Sequence, residues 1–193
     1  MTVRHELPVI KLASRNAWAA WLGRRHADSA GVWLKIAKKA AGTHTVSYAE
    51  AVDVALCYGW IDGQKDKLDD DFWLQRFTPR RPKSKWSQRN RARALELIDT
   101  GEMQAAGLRE VERAKADGRW DAAYEAQSSA TVPDDLSRAL KRDKKAAAFF
   151  AGLDSRNRYA ILYRIQDAKK PETRARRVEQ FVGMLHEGRT IYP

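Results

Sequence analysis

The chain has 193 residues, of which 44% are hydrophobic and seven are tryptophan, so it can bury a core and is not a disordered polymer. Charged residues make up 32% of it and the net charge is +11, which favours encounters with polyanions or anionic surfaces but does not indicate a fold. The single cysteine excludes an intramolecular disulfide and a cysteine-based zinc site. The first residues lack the apolar run of a signal peptide, and no window is apolar enough for a membrane helix, so we expect a cytoplasmic protein.

The first quarter of the sequence predicts strands interleaved with helices. Residues 9–12 suggest an edge strand, and residues 32–36 alternate so that Val, Leu and Ile share one face. Ser14 can cap the helix between these two segments. Ser47-Tyr48-Ala49-Glu50 has the pattern of a capping box, which predicts the start of a second helix.

Two further strands are predicted at residues 60–62 and 72–77, joined by a polar, turn-rich loop as in a hairpin. Pro79 and Pro82 then disfavour a helix and predict an extended segment. Ser84 or Ser87 can cap the helix that follows it. That helix is expected to direct three apolar side chains inward, those of Ala94, Leu95 and Ile98.

Residues 126–132 are small, polar and uncharged, which predicts a linker, and the pattern after them is helical. We therefore predict an α+β fold rich in helices. Residues 1–125 would contain a small antiparallel sheet of three to four strands packed by helices. Residues 133–193 would form a C-terminal helical unit.

The basic arm, residues 76–93, contains eight cationic side chains and no carboxylate. Neighbouring like charges repel one another, and salt screens that repulsion only in part. The arm also leads into a helix N-terminus, where unpaired N–H groups and the helix dipole favour an anion. Arginine can bind phosphate or carboxylate oxygens in pairs, and a tryptophan offers a stacking face. The cations are Arg76, Arg80, Arg81, Lys83, Lys85, Arg89, Arg91 and Arg93.

Other interpretations of this region stay open. The arginines can instead pair across the hairpin with Asp62 and the acidic residues 69–71, which would give them a structural role. Asp62 can be a partly buried acid/base group or one half of an ion pair that holds a turn. Cys57 is expected to be buried and inert, since His44 is the only candidate base for it. No histidine spacing resembles a metal site.

Three stretches are distinctive enough to compare with known families. They are residues 50–63, which contain ALCYGWIDG, residues 76–90, which contain RFTPRRPKSKWS, and residues 168–177, which contain AKKPETR. Together these stretches resemble the YdeI/OmpD-associated family over roughly residues 14–190. The resemblance implies protection against bacteriocins or antimicrobial peptides as one candidate role, and it assigns no catalytic residue.

We predict a non-enzymatic accessory protein that binds a small ligand bearing phosphate or carboxylate, without a cofactor or metal. Arg80 and Arg81 would hold the anion, Trp86 would stack on the ligand, and Asp62 would orient an arginine. The alternatives are a nucleic-acid-binding protein, a small enzyme that uses Asp62 or Cys57, and a bacteriocin-protection protein. The predicted ligand-binding residues are Trp60, Asp62, Arg76, Arg80, Arg81, Ser84, Trp86, Ser87 and Asn90.

Overall fold

Four strands form one sheet in the part of the chain that the computed structural model describes, residues 6–125, 127 and 130–193. The chain divides into two units, each with its own apolar core. The predicted linker at residues 126–132 includes three positions outside the described residues, 126, 128 and 129. Unit 1 consists of Met1–Trp86 and Asn90–Ala122, and unit 2 consists of Ser87–Arg89 and Ala123–Pro193.

The order of helices and strands gives an α+β fold rich in helices, as the sequence predicts. The strands are β1 (Val9–Lys11), β2 (Val32–Ala37), β3 (Trp60–Lys67) and β4 (Phe72–Pro79). The helices in the first part of the chain are α1 (Arg15–Arg25), α2 (Tyr48–Cys57), α3 (Gln88–Asp99) and α4 (Ala105–Ala116). Those that follow are α5 (Asp134–Arg142), α6 (Lys144–Ala151), α7 (Ser155–Gln166) and α8 (Pro171–His186).

The sheet has the strand order β1-β2-β4-β3 and is mixed rather than wholly antiparallel. β4 pairs antiparallel with both β2 and β3. β1 runs parallel to β2, because the connection between them contains α1 and returns the chain to the same end of the sheet. The prediction of an antiparallel sheet was therefore wrong for the edge strand β1, which pairs in parallel.

One face of the sheet carries the core of unit 1. The Val32, Leu34 and Ile36 side chains of β2 all point to this face, as predicted, and are at most 3% exposed. Trp18 of α1 belongs to the same core and is fully buried. Its Nε1 donates a hydrogen bond to the Ala51 carbonyl of α2 at 3.1 Å. The first two helices therefore cover the same side of the sheet.

Gly59 joins α2 to β3 in a backbone conformation that glycine adopts more readily than other residues. Its φ is +72°, and a Cβ at this position would lie 2.9 Å from the Ala106 carbonyl oxygen and from Glu110 Cγ of α4. The Gly59 carbonyl accepts a hydrogen bond from the Arg80 backbone N–H at 2.9 Å. Gly59 thus holds the start of β3 beside the end of β4.

α3 buries a different face from the one predicted. Ala94 is fully buried as expected, but Leu95 is 48% exposed, and Leu97 is buried in its place. Two residues correspond to about 200° of rotation around an α-helix, so these leucines point in nearly opposite directions. The prediction was wrong for Leu95 because an apolar spacing can be satisfied by more than one phase of a short helix.

Unit 2 packs apolar side chains from α5, α6, α7 and α8 around one core. Asn157, which is 3% exposed, is a buried polar residue at the edge of this unit. Its Oδ1 accepts the backbone N–H groups of Ile191 at 3.0 Å and Tyr192 at 2.9 Å, and its Nδ2 donates to Asp154 Oδ2 at 2.9 Å. Because both ends of the amide are hydrogen-bonded, Asn157 fastens the C-terminal residues to the start of α7.

Candidate functional site

The basic arm begins inside the sheet and then forms a folded loop. Arg80, the first residue after β4, is only 6% exposed. Its guanidinium carbon lies 3.6 Å from the ring centroid of Trp86, and its Nη1 donates to the Lys85 carbonyl at 3.2 Å. Trp86 is 2% exposed and also contacts the Trp120 ring, with centroids 4.9 Å apart. This arginine is therefore part of an aromatic cluster within unit 1.

Hydrogen bonds to the backbone hold the segment at residues 80–86, which we name the arm loop. Ser84 Oγ accepts the Arg81 N–H at 2.9 Å, and the Ser84 N–H donates to the Arg81 carbonyl at 2.9 Å. Arg119, three residues after α4, donates from Nη1 to the Ser84 carbonyl at 2.8 Å. Arg119 is itself oriented by Asp117, and the same contact keeps the pKa of the Asp117 carboxyl below its ordinary value. The arm loop thus has a defined conformation.

Three cations of the arm loop, Arg81, Lys83 and Lys85, are exposed, while Arg80 is buried. The adjacent arginines at 80 and 81 therefore lie in different environments, one buried and one exposed. The arm loop therefore presents cations on one side and stacks a guanidinium against tryptophan on the other.

Trp60, the first predicted site residue, lies in the core of unit 1. It is 1% exposed and meets the rings of Trp18 and Trp21 edge-on, at centroid distances of 6.3 Å and 5.9 Å. Its Nε1 donates to the His26 carbonyl at 3.1 Å. The contacts of Trp60 are those of a buried aromatic residue with a satisfied indole N–H.

Asp62 and Arg76 lie on opposite faces of the sheet. Asp62 pairs in register with Phe77, on the face covered by helices, whereas Arg76 pairs with Trp33 on the other face. Asp62 Oδ2 accepts a hydrogen bond from Tyr48 Oη at 2.7 Å. The sheet therefore does not bring the predicted acid and the arginine of β4 together, and the polar partner of Asp62 is a tyrosine.

In the acidic turn between β3 and β4, the Asp69 side chain accepts hydrogen bonds from the backbone of the turn itself. Asp69 Oδ1 accepts the N–H groups of Asp71 at 3.0 Å and Phe72 at 2.7 Å, which closes the turn before β4. Lys38 Nζ donates to the Asp69 carbonyl at 2.7 Å. These bonds account for the role of Asp69 without an arginine of the arm.

The remaining arginines of the arm, on α3, have structural partners. Arg93 makes a paired contact with Asp53 of α2, with Nε–Oδ1 at 2.8 Å and Nη2–Oδ2 at 2.7 Å, and this contact raises its pKa. It also donates to Glu96 at 2.6 Å. Arg91 Nη1 donates to the Trp120 carbonyl at 3.1 Å. These two cations stabilise unit 1.

The other predicted site residues are distributed between the two units. Asn90 lies in the first turn of α3 and belongs to unit 1. Ser87 belongs to unit 2, where it forms a parallel bridge with Tyr124. Their roles in ligand binding stay predictions.

Cys57 occupies the last position of α2 and is 4% exposed. Burial raises the pKa of its thiol to about 11, so the thiol is protonated at neutral pH and is not a ready nucleophile. Among the described residues, no group of three or more His, Cys, Asp and Glu side chains is arranged to hold a metal ion. No helix within that part of the chain has the length and apolar composition needed to span a membrane.

Comparison with known families divides the sequence into two stretches. The family model described as a domain of unknown function (DUF8412) matches residues 10–110, just over half of the chain. The chain belongs to this DUF8412 family. A second model, described as bacteriocin-protection, YdeI or OmpD-associated, matches residues 129–188 and confirms the resemblance drawn from the sequence. No curated protein and no solved structure matches the chain.

The two matches refine where the resemblance lies. The YdeI/OmpD-associated match falls on the helical residues of unit 2, whereas both central motifs, at residues 50–63 and 76–90, fall within the DUF8412 match. The arm loop is therefore a feature of the DUF8412 part of the chain.

Sequence reasoning missed Arg119 and Trp120 as partners of the arm loop. Arg119 lies 35 residues from the serine whose carbonyl it binds, and nothing in the local pattern connects them. The only signal in the sequence was the adjacent pair Arg119-Trp120 directly after Gly118, two residue types that the basic arm also contains. Such a pair is too common to indicate a contact by itself.

Proposed function

We propose that this DUF8412 protein is a non-enzymatic accessory protein that binds a small phosphate- or carboxylate-bearing ligand through the exposed side of its arm loop. Arg81 and Lys83 would contact the anion. The supporting observation is that both cations are exposed on a loop whose backbone is already held by hydrogen bonds. A preorganised loop loses little conformational entropy on binding, which favours affinity.

The charge around these two residues also supports an anion. The arm has no carboxylate from residue 76 to residue 93, so Arg81 and Lys83 have no acidic neighbour in sequence. Arginine supplies a planar fork that matches two oxygens of a phosphate or carboxylate, and lysine supplies a mobile point charge. Arg80 would hold the loop in its conformation rather than touch the ligand, because its guanidinium is stacked on Trp86.

The test is a calorimetric titration of the full chain with inorganic phosphate, pyrophosphate and citrate at low salt. Arg81→Ala combined with Lys83→Ala should weaken the tightest of these by at least about tenfold, since each lost charge-assisted bond is worth about 1.5–3 kcal/mol. The matched control is Arg24→Ala with Arg25→Ala, which removes the same charge from exposed positions at the end of α1.

Equal affinities of the double variant and wild type would overturn the proposal. So would an equal loss in the control, since that result would indicate a nonspecific effect of net charge. Circular dichroism of both variants establishes that each remains folded, and exposed positions such as these tolerate alanine well.

Nucleic acid is a second candidate ligand, because the two cations are exposed and a polymer could reach them. Titration with single-stranded oligonucleotide distinguishes it from a small anion. Binding of a polynucleotide should fall steeply as salt increases, with a slope that decreases by about one to two in the double variant. An absence of binding at low salt would remove this candidate.

A thiol enzyme is a weaker candidate, since Cys57 is buried and its pKa is raised. The remaining candidate is protection against a bacteriocin, since the second family that the sequence matches is described as bacteriocin-protection.

A further inference from the structure

The sheet of unit 1 has a second face, opposite the one that α1 and α2 cover. α3 is joined to α2 through the Arg93–Asp53 pair, and α4 lies against Gly59 at the end of α2. These contacts place the described helices of unit 1 on the first side of the sheet. We name the opposite surface the second sheet face. Its centre is formed by Lys11, Trp33, Lys35, Phe72, Leu74 and Arg76.

Three adjacent strands each contribute one cation to the second sheet face. Lys11 of β1 lies beside Lys35 of β2 in the parallel register, and Lys35 pairs with Leu74 of β4. Arg76 follows Leu74 by two residues, so its side chain points to the same side. Because neighbouring strands lie about 4.8 Å apart, the three cations span about 10 Å across the sheet.

The two lysines of this face are directed at an aromatic ring rather than at a carboxylate. Lys11 Nζ lies 4.7 Å and Lys35 Nζ 5.6 Å from the ring centroid of Phe72. Neither lysine forms an ion pair with any residue that the structure describes. Like charges at neighbouring positions of paired strands repel each other. This pair of lysines therefore favours an anion above the sheet.

Arg76 adds a cation whose charge is also not neutralised. Its side chain is half-buried, and its Nε is buried without a hydrogen-bond partner in the described part of the chain. A Cβ at Gly63 of the adjacent β3 would lie 3.8 Å from Arg76 Cβ and Cδ, so β3 places no side chain beside this arginine there. A buried donor without an acceptor costs free energy, which an anionic oxygen would recover.

One carboxylate, that of Asp66, occurs among the described strand residues of the second sheet face. Asp66 lies on the edge strand β3, at the opposite edge of the sheet from Lys11. Its Oδ1 accepts the Lys67 N–H at 2.8 Å. Three cations therefore outnumber the single carboxylate, and the face has a net positive charge.

We propose that the second sheet face binds single-stranded nucleic acid. Cations that span three strands are too widely separated for one phosphate group, whereas a chain of phosphates can reach each of them. When the lysines turn from the half-buried Phe72 ring to the phosphates, the ring can stack on a base. Cations and aromatic rings on one sheet surface are the combination by which proteins bind single strands.

A duplex fits this surface less well. The major groove admits a helix or a two-stranded ribbon, whereas this sheet has four strands. The proposed site also uses residues other than Arg81 and Lys83, so it does not depend on anion binding at the arm loop.

The experiment is fluorescence anisotropy of a labelled oligothymidylate titrated with the full chain at several salt concentrations. Wild type should bind at low salt, with a log–log salt slope of about −2 for three phosphate contacts. Lys11→Gln with Lys35→Gln keeps the length of both side chains and removes their charge. It should weaken binding by about tenfold or more and reduce the slope by about one. Phe72→Leu should weaken binding by at least about fivefold, because it removes the stacking surface.

The matched control is Arg24→Ala with Arg25→Ala, which removes two charges from exposed positions of α1. It should leave the affinity for the oligonucleotide unchanged, and so should Arg81→Ala with Lys83→Ala in the arm loop. Circular dichroism establishes that each variant is folded. If the lysine variant does not fold, Arg76→Gln tests the same surface and should weaken binding by about fivefold or more.

Four results would overturn the proposal. The first is no binding of the oligonucleotide by wild type at low salt, including the case in which vesicles containing phosphatidylserine bind instead. The second is wild-type affinity in the folded variants of the second sheet face. The third is a loss confined to the arm-loop variant, because the polymer would then bind there. The fourth is a duplex that competes as well as the single strand, since the attraction would then be general for polyanions.

Discussion

Arg80 and Trp86 form a buried stack at the base of the arm loop, with the guanidinium carbon 3.6 Å from the ring centroid. The sequence indicates an anion-binding arginine at this position, yet its guanidinium faces the indole and the Lys85 carbonyl. These two adjacent arginines therefore have different roles. Arg80 shapes the loop, and Arg81 is exposed to solvent.

Breaking this stack should destabilise unit 1. Trp86→Ala is expected to lower the free energy of unfolding by about 3–5 kcal/mol, because it removes a large buried aromatic side chain. In a double-mutant cycle with Arg80→Ala, the coupling energy should be about 1–2 kcal/mol, as for a desolvated cation–π contact. Urea denaturation followed by circular dichroism measures both quantities, and strictly additive losses would mean that the stack contributes nothing of its own.

Two glycines with nearly the same backbone conformation should differ in their tolerance of a side chain. Gly59 and Gly101 have φ of +72° and +73°, but only Gly59 has neighbours within 4 Å of the position of a Cβ. Gly101→Ala should cost about 1–2 kcal/mol from the left-handed backbone alone. Gly59→Ala should cost measurably more, because α4 must also move away. Equal losses in thermal or urea unfolding would contradict the close approach of Ala106 to Gly59.

The buried thiol of Cys57 should make stability depend on alkaline pH. Its pKa rises from an ordinary value of 9.0 to about 11, so the unfolded chain loses the proton first. The contribution of Cys57 is fully present below pH 9 and is lost as the pH rises toward 11, by about 2–3 kcal/mol in total. The difference in unfolding free energy between wild type and Cys57→Ala should therefore decrease over this range. A difference that is constant with pH would show that the thiol is not shielded.

The same burial predicts slow chemical labelling. A thiol reagent at pH 8 should modify Cys57 only after denaturant unfolds the chain. Rapid labelling of the native protein would reopen the thiol-enzyme hypothesis.

The pair Asp135–Arg174 should contribute to stability at neutral pH and lose that contribution in acid. Hydrogen bonding to Arg174 lowers the pKa of the Asp135 carboxyl. A lowered pKa contributes stability above the ordinary aspartate value and loses it as the pH falls through the folded-state value. Asp135→Asn should therefore cost about 1 kcal/mol at neutral pH, a modest figure because the pair is partly exposed, and less in strong acid. A cost that does not decrease in acid would contradict the pair.

The amino-acid sequence by itself determined the fold class, the starts of most helices and strands, and the concentration of cations at residues 76–93, although β3 continues to Lys67 where the sequence predicts a turn. These follow from local patterns: the alternation of Val32, Leu34 and Ile36 predicts a strand with one buried face, and the Ser47–Glu50 capping box predicts a helix start. The local patterns did not predict that β1 runs parallel to β2, or which face of α3 is buried. The apolar residues of these segments fit either strand direction and either helix face equally well.

Only the tertiary structure decided which cations are exposed. Arg80 is buried because it stacks on Trp86 and donates to the Lys85 carbonyl. Distant residues of unit 1 hold this arrangement in place, since Trp120 packs on Trp86 and Arg119 binds the Ser84 carbonyl. Asp62 and Arg76 are separated because alternate residues of paired strands face opposite sides of the sheet. Charge is a property of each residue, whereas its environment depends on contacts between residues far apart in sequence, and local patterns carry no record of those contacts.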